Sequence, residues 1–294
     1  MNKVGFIGVG IMGKSMVRNL MKAGFELHIY ARTKSKVEDV IGEGAQFHES
    51  IKDCVQDCDA VITIVGFPQD VEEVYFDEGN ILDSAKEGAY LIDMTTTSPQ
   101  IAEKIYEEGT KRGFHVMDAP VTGGDTGAKA GTLSILVGGE KEDYEACMPL
   151  FEAMGTNINY QGKAGCGQHC KLANQIMIAG TLSGVCEALT YAKEQGLDSE
   201  VFMKSVATGA AGSKQLDTFG PKILKDDYAP GFFMKHFIKD MKLALIEANR
   251  KGLSLDVLSM VLANYEELEQ EGYGDLGTQA LMKFYDEEHR NTEE

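Results

Sequence analysis

Lys171, Asn174, Gln175 and Ile178 stand at i, i+3, i+4 and i+7, so on a helix they share one face. A partly desolvated ammonium on such a face can hand a proton to an oxygen, and burial or a nearby cation brings a lysine toward neutral pKa. Most lone helical lysines are merely solvated charges, so the flanking sequence has to carry this reading. A second group is Thr122-Gly123-Gly124, just after Pro120. Its backbone N–H groups and hydroxyl can form a small nest for a carboxylate, the plain alternative being a glycine turn.

A third group lies near the start. Gly8-Val9-Gly10-Ile11-Met12-Gly13 follows a short apolar run and opens a helical pattern. One glycine permits a tight turn, one lets the backbone approach a pyrophosphate, and one lets helix and strand pack closely. The helix start then offers N–H groups and partial positive charge to phosphates. An acidic residue about 20 positions further on would read the ribose hydroxyl of NAD. That neighbourhood is Tyr30-Ala31-Arg32-Thr33-Lys34-Ser35-Lys36, with no carboxylate. Arg32 can pair with a 2′-phosphate, Thr33 can hydrogen-bond it and Lys36 adds charge, which favours NADP over NAD. A solvated basic turn is the plainer reading of the same residues.

These groups need elements to hold them. Short β-branched runs at Lys3–Ile7, Glu26–Tyr30, Ala60–Val65, Tyr90–Met94, His115–Asp118, Leu133–Val137 and Asn157–Tyr160 alternate with helical spacings. That alternation predicts an α/β fold, a Rossmann-type, doubly wound and mostly parallel sheet over residues 1–163. Residues 164–294 read as an all-α domain built on a long central helix, Gln168–Gln195, with Leu172, Ile176, Ala179, Leu182, Cys186 and Leu189 inward. Further helices are expected at Glu200–Thr208, Gln215–Leu224, Lys239–Arg250, Val257–Glu271 and Thr278–Glu288, with a frayed tail over Arg290–Glu294.

Composition bounds the class. The 294 residues are 43% hydrophobic and 25% charged, the balance of a globular protein. A net charge of −18 repels phosphate backbones and anionic lipid, so neither nucleic acid nor membrane is expected as a partner. No apolar run reads as a bilayer span and the N-terminus lacks the pattern of a signal peptide, so a cytoplasmic location is expected. Cys166-Gly-Gln-His169-Cys170 has no second ligand pair at zinc-site spacing. The six cysteines are read as reduced thiols, with no metal site.

Four segments together resemble the β-hydroxyacid dehydrogenase family: Gly8–Leu20, Asp118–Gly139, Gly165–Gln175 and Ile238-Lys239-Asp240. This family includes 3-hydroxyisobutyrate dehydrogenase, tartronate semialdehyde reductase and the glyoxylate/succinic semialdehyde reductases. The resemblance spans nearly the whole chain in the same order. It implies reversible hydride transfer between NAD(P) and a small aldehyde acid or 3-hydroxy acid, with Lys171 as general acid/base and Asn174 on the substrate oxygen. Thr122 stands where the family usually has Ser, Thr96 matches a Ser/Thr on the nicotinamide side, and Lys239 matches a cofactor-side lysine. Val65 and Gly66 match the place where the strand end passes the cofactor, though Gly66 replaces a common proline. Gln175 replaces the second asparagine of a Lys-x-x-Asn-Asn form and by the same resemblance is expected on the substrate with Asn174, and Phe232 resembles a pocket wall. Lys214 stands where an aromatic is frequent. The resemblance also implies a homodimer or homotetramer. A 6-phosphogluconate dehydrogenase would carry a longer C-terminal domain. An imine reductase would usually have replaced the lysine retained at 171, and so would a non-catalytic dinucleotide-binding module.

Overall fold

The computed structural model describes residues 1–285. It divides into two compact units, Met1–Lys171 and a second from Leu172 onward. The sequence puts the boundary near residue 163. The division falls inside the long helix because that helix's first turn is bonded to strand ends of the first unit, through Gly165 and Gln168 to Asp118.

The first unit carries nine strands: β1 (Lys3–Ile7), β2 (Glu26–Tyr30), β3 (Gln46–His48), β4 (Ala60–Thr63), β5 (Tyr90–Asp93), β6 (His115–Asp118), β7 (Val121–Thr122), β8 (Leu133–Gly139) and β9 (Gly155–Gly162). Their order is β3-β2-β1-β4-β5-β6-β8-β7, with β9 also on β8. The first six are all parallel, whereas β8 runs antiparallel to β6 and β7. Covered on both faces, the central strands lose the polar alternation of a half-exposed sheet: every residue of β4, and Val4–Ile7 of β1, is buried. One apolar cluster joins Phe6, Ile29 and Ile62 to Met16 and Leu20 of the helix Ile11–Lys22. A second joins Ile7, Val61 and Leu91 to Val55, Val71 and Tyr75. β2 and β4 flank β1 on opposite sides, so the chain leaves β1 in one direction and returns in the other. The carboxyl ends of β1 and β4 form the switch point at which such sheets bind ligands.

Among its described residues the second unit is helical, apart from one isolated bridge between Phe233 and Gly277. The long helix runs Cys166–Glu194 and turns Leu172, Ala179, Leu182, Cys186 and Leu189 into an apolar core with Phe237, Met241, Val261 and Tyr265. Ile176, also expected inward, is partly buried there. This helix corrects the expectation that nothing in the chain reads as a bilayer span. It is long and apolar enough by length and composition alone. The cause is the small and apolar residues that let it pack closely in a core.

The helix expected at Lys239 begins earlier, as Met234–Arg250, because Met234, Phe237, Ile238 and Met241 already form its buried stripe. Thr278–Tyr285 is a 3-10 helix, not the start of an α-helix. The rest of that expected helix and the tail 290–294 lie outside the described residues.

Candidate active site

The glycines of the first loop do separable jobs. Gly8 has φ +96°, and a Cβ there would lie 2.1 Å from the Ile64 carbonyl oxygen. A Cβ on Gly13 would lie 2.2 Å from the Gly8 carbonyl oxygen, so the turn and the helix–strand contact both exclude side chains. Gly10 differs. Its φ is −86° and a Cβ would meet nothing within 4 Å, so the protein itself does not demand glycine there. Gly10 caps the helix Ile11–Lys22 with no side-chain bond and no acid in the first turn, leaving the first N–H groups to an outside acceptor. This is a cradle that a Cβ would partly fill, and it fits a pyrophosphate. Val9 is buried beneath the loop, Met12 is half-buried and Ile11 is exposed.

At the end of β2, Arg32, Thr33 and Lys36 are all exposed. Arg32 Nη1 donates to Asp70 Oδ1 at 3.1 Å while its side chain stays 74% exposed. Asp70 Oδ2 also accepts from the Phe67 N–H, so the carboxylate is fixed and steers the guanidinium without covering it.

The loop after β5 is held from below and from the side. Asp93 is fully buried; its Oδ1 accepts from Thr63 Oγ1 (2.7 Å) and the Thr95 N–H (3.1 Å). Burial outweighs these donors and pushes its pKa up to about 6. Thr95 Oγ1 in turn accepts from the Val65 N–H at 3.0 Å, tying in the segment where Val65 and half-buried Gly66 leave β4. Gln168 brackets Thr96: its Nε2 donates to the Thr95 carbonyl at 2.7 Å and its Oε1 accepts from the Thr97 N–H at 3.0 Å. Thr95 and Thr97 are buried, and Thr96 between them is half-exposed.

The same Gln168 belongs to the first turn of the long helix, where Asp118 at the end of β6 accepts from the Gly165 and Gln168 N–H groups, each at 2.8 Å. Burial raises the Asp118 carboxyl in spite of those two donors. The helix start sits so tightly that a Cβ on Gly167 would lie 2.4 Å from the Leu136 carbonyl. Lys171, one turn beyond Gln168, is only 7% exposed. A buried lysine at this place is not the solvated surface charge that a lone helical lysine usually is.

Thr122 is half-buried at the end of β7. Gly123 and Gly124 follow with φ +130° and +63°, and the short helix Gly124–Ala130 begins there without a side-chain cap. Two consecutive positive-φ glycines make the turn one that other residues resist, and successive N–H groups in such a turn can form an anion nest.

In the second unit, Asn174 Nδ2 donates to Gln175 Oε1 (2.8 Å) and Gln175 Nε2 donates to Asp240 Oδ2 (2.7 Å). Lys239 Nζ lies 2.9 Å from Asp240 Oδ1 as an ion pair off hydrogen-bond alignment. Three expected residues therefore meet through a fourth, Asp240. Phe232 is half-buried and rests on Phe237 (6.2 Å, edge-on) and His236 (6.3 Å). Lys214 is exposed in the first turn of the helix Lys214–Ile223, where a cation gains nothing from the helix dipole.

Sequence alone assigns no role to Gln168, Asp118, Asp93 or Asp240. Gln168 and Lys171 do share a helix face at i and i+3, a signal that could have been read. All six cysteines are free thiols, with Cys170 raised by burial. Among the described residues no group of three or more His, Cys, Asp or Glu is placed to hold a metal.

A doubly wound sheet with a glycine-lined phosphate cradle at its switch point, followed by a helix bearing a buried lysine, defines a nicotinamide-dependent dehydrogenase. Residues 3–162 match the family described as the NAD binding domain of 6-phosphogluconate dehydrogenase. Residues 165–285 match that described as the NAD-binding region of NADP-dependent 3-hydroxyisobutyrate dehydrogenase. The chain belongs to the 3-hydroxyisobutyrate dehydrogenase-like family of NAD(P)-dependent oxidoreductases. It is 49% identical to the uncharacterized oxidoreductase YkwC of Bacillus subtilis over 96% of this chain and 98% of that protein. It is 44% identical to a probable mitochondrial 3-hydroxyisobutyrate dehydrogenase-like 1 of Arabidopsis thaliana, over 95% and 84%. The solved 3-hydroxyisobutyrate dehydrogenase of Mycobacterium tuberculosis, with L-serine, matches at TM-score 0.88 and 26% identity, covering 96% of this chain and 98% of that one.

Proposed function

We propose that the chain is an NADP-preferring reductase of a short aldehyde acid of the tartronate semialdehyde, succinic semialdehyde or glyoxylate class. The observation that carries the reading is the buried Lys171, with Asn174 one turn further along the same helix. When bound, the reduced nicotinamide supplies a hydride to the carbonyl carbon. Lys171 gives the proton to the carbonyl oxygen, and an Asn174 N–H holds that oxygen. The Thr122-Gly123-Gly124 turn binds the carboxylate, whose charge the overall field of a −18 chain would otherwise repel. Phe232 closes the pocket to long substrates. Thr96, Val65, Gly66 and Lys239 serve the nicotinamide side, and Gly8–Gly13 hold the pyrophosphate.

The preference for NADP rests on the exposed Arg32, Thr33 and Lys36 and the lack of any carboxylate from 30 to 36. Following NADPH and NADH oxidation with C2–C4 aldehyde acids tests both halves. The expected result is turnover of at least one of them with a higher kcat/KM for NADPH. Arg32→Glu should lower kcat/KM for NADPH roughly 10- to 100-fold and leave NADH nearly unchanged. No turnover of any aldehyde acid, or a strong preference for NADH, overturns the corresponding half. Oxidation of 3-hydroxyisobutyrate or a similar 3-hydroxy acid is the second reading, favoured by the names of the Arabidopsis and Mycobacterium proteins.

We also propose a cytoplasmic homodimer or homotetramer. Free thiols throughout fit a reducing compartment. Met177 and Tyr191, exposed on the long helix, with Leu197 and Val201 beyond it, offer apolar surface for a second copy. Light scattering should give a mass of two or four chains; a monomer at micromolar concentration refutes the assembly.

A further inference from the structure

We propose that Asp240 is a positioning residue that fixes, through Gln175, which way the Asn174 amide faces. This rests on the assignment of Asn174 to the substrate oxygen. Asp240 is 0% exposed and Gln175 2%, so neither can be satisfied by bulk water. A carboxylate paired with an ammonium is an acceptor only, and Lys239 Nζ stands 2.9 Å from its Oδ1. Its Oδ2 must therefore face the NH2 end of Gln175, and the 2.7 Å bond is of that kind. That choice leaves Gln175 Oε1 pointing at Asn174, which can only answer with its own NH2 end, at 2.8 Å. Polarity is thus passed from the charge at 240 along two amides. Asn174 is left with one further N–H and its Oδ1 in set positions, the N–H suited to a carbonyl oxygen.

The length of Gln175 matters. An asparagine at 175 would draw the carboxamide back by about one C–C bond, far enough to break a hydrogen bond of ordinary length. An amide pair without the carboxylate would have no preferred direction, because an amide can donate or accept at either end by flipping.

The relay can be inverted without being lost. In the double variant Gln175→Glu/Asp240→Asn, the carboxylate stands at 175 and accepts from both neighbours, so Asn174 keeps its orientation. Four proteins are compared for substrate kcat/KM, KM, NADPH Kd and melting temperature: Asp240→Asn, Gln175→Met, the double variant and Asn174→Ala. Asp240→Asn and Gln175→Met should each lower kcat/KM about tenfold, mainly through KM for Gln175→Met, with NADPH Kd within about twofold for Gln175→Met. The double variant should recover to within about threefold of wild type.

Recovery would not follow from packing alone, since Gln and Glu at 175, and Asp and Asn at 240, differ in donor pattern and hardly in size. Equal losses in the double variant and the Asp240→Asn single, or full activity in Gln175→Met, overturn the relay. If Asn174→Ala is fully active, the assignment of Asn174 fails first and the relay with it. Should Asp240→Asn not fold, Gln175→Met against wild type and the double variant carries the same decision.

Discussion

Lys171→Met is expected to lower kcat for aldehyde-acid reduction by about 10²–10⁴-fold, the range that a positioned general acid contributes. The methionine keeps length and apolar stem while removing the ammonium, so packing at this 7%-exposed position should be held. A thermal melt beside the kinetics separates lost chemistry from lost packing. Its NADPH Kd should stay within about twofold, because the phosphate cradle belongs to the loop Gly8–Gly13 at the end of β1. A loss in kcat with kcat/KM falling in parallel marks an interaction made in the transition state. If turnover survives within tenfold while folding is intact, the proton comes from elsewhere and the proposed chemistry at Lys171 is wrong. A fall in melting temperature with lost activity would be a different failure, pointing to the lysine as part of the packing.

What sequence could and could not show follows from the range of the interactions. β1, β2 and β6 match the runs read for them residue for residue, because each is a short apolar stretch bounded by turn residues. β3 and β7, of three and two residues, carry too little pattern to be read at all. β9 runs longer than the segment Asn157–Tyr160 because its added ends, Gly155-Thr156 and Gln161-Gly162, carry no apolar pattern and are held by pairing with β8. The helix starting at Met234 was hidden by the Phe232-Phe233 pair before it, which reads as strand as easily as helix.

In the site, the glycine loop and Lys171 were legible because their chemistry is local in sequence. Gln168, Asp118 and Asp240 act on residues 73, 50 and 65 positions away, and no periodicity encodes such partners. Gln175 shows the limit most clearly. It lies on one helix with Lys171, at the spacing of a shared face, yet both ends of its amide are spent on Asn174 and Asp240, so those atoms are turned to Asn174 and not to a ligand.

Gly10→Ala is expected to separate cofactor binding from folding. Since a Cβ at 10 meets nothing within 4 Å and φ is −86°, alanine fits the free protein without strain. Its melting temperature should stay within about 2 °C of wild type, as for surface changes that touch nothing. The methyl nevertheless occupies the space where the backbone must approach a pyrophosphate, and overpacking of that kind should raise NADPH Kd on the order of 10- to 100-fold. Gly13→Ala is the contrast. Its Cβ would be forced to 2.2 Å from the Gly8 carbonyl, so the loop must move even with no cofactor present, lowering the melting temperature by about 6–12 °C. Isothermal titration with NADPH beside thermal melts of the cofactor-free protein reads both. If Gly10→Ala binds NADPH as tightly as wild type, the open space beside Gly10 is not where the phosphates lie. The loop would then hold the dinucleotide through Gly8 and Gly13 alone.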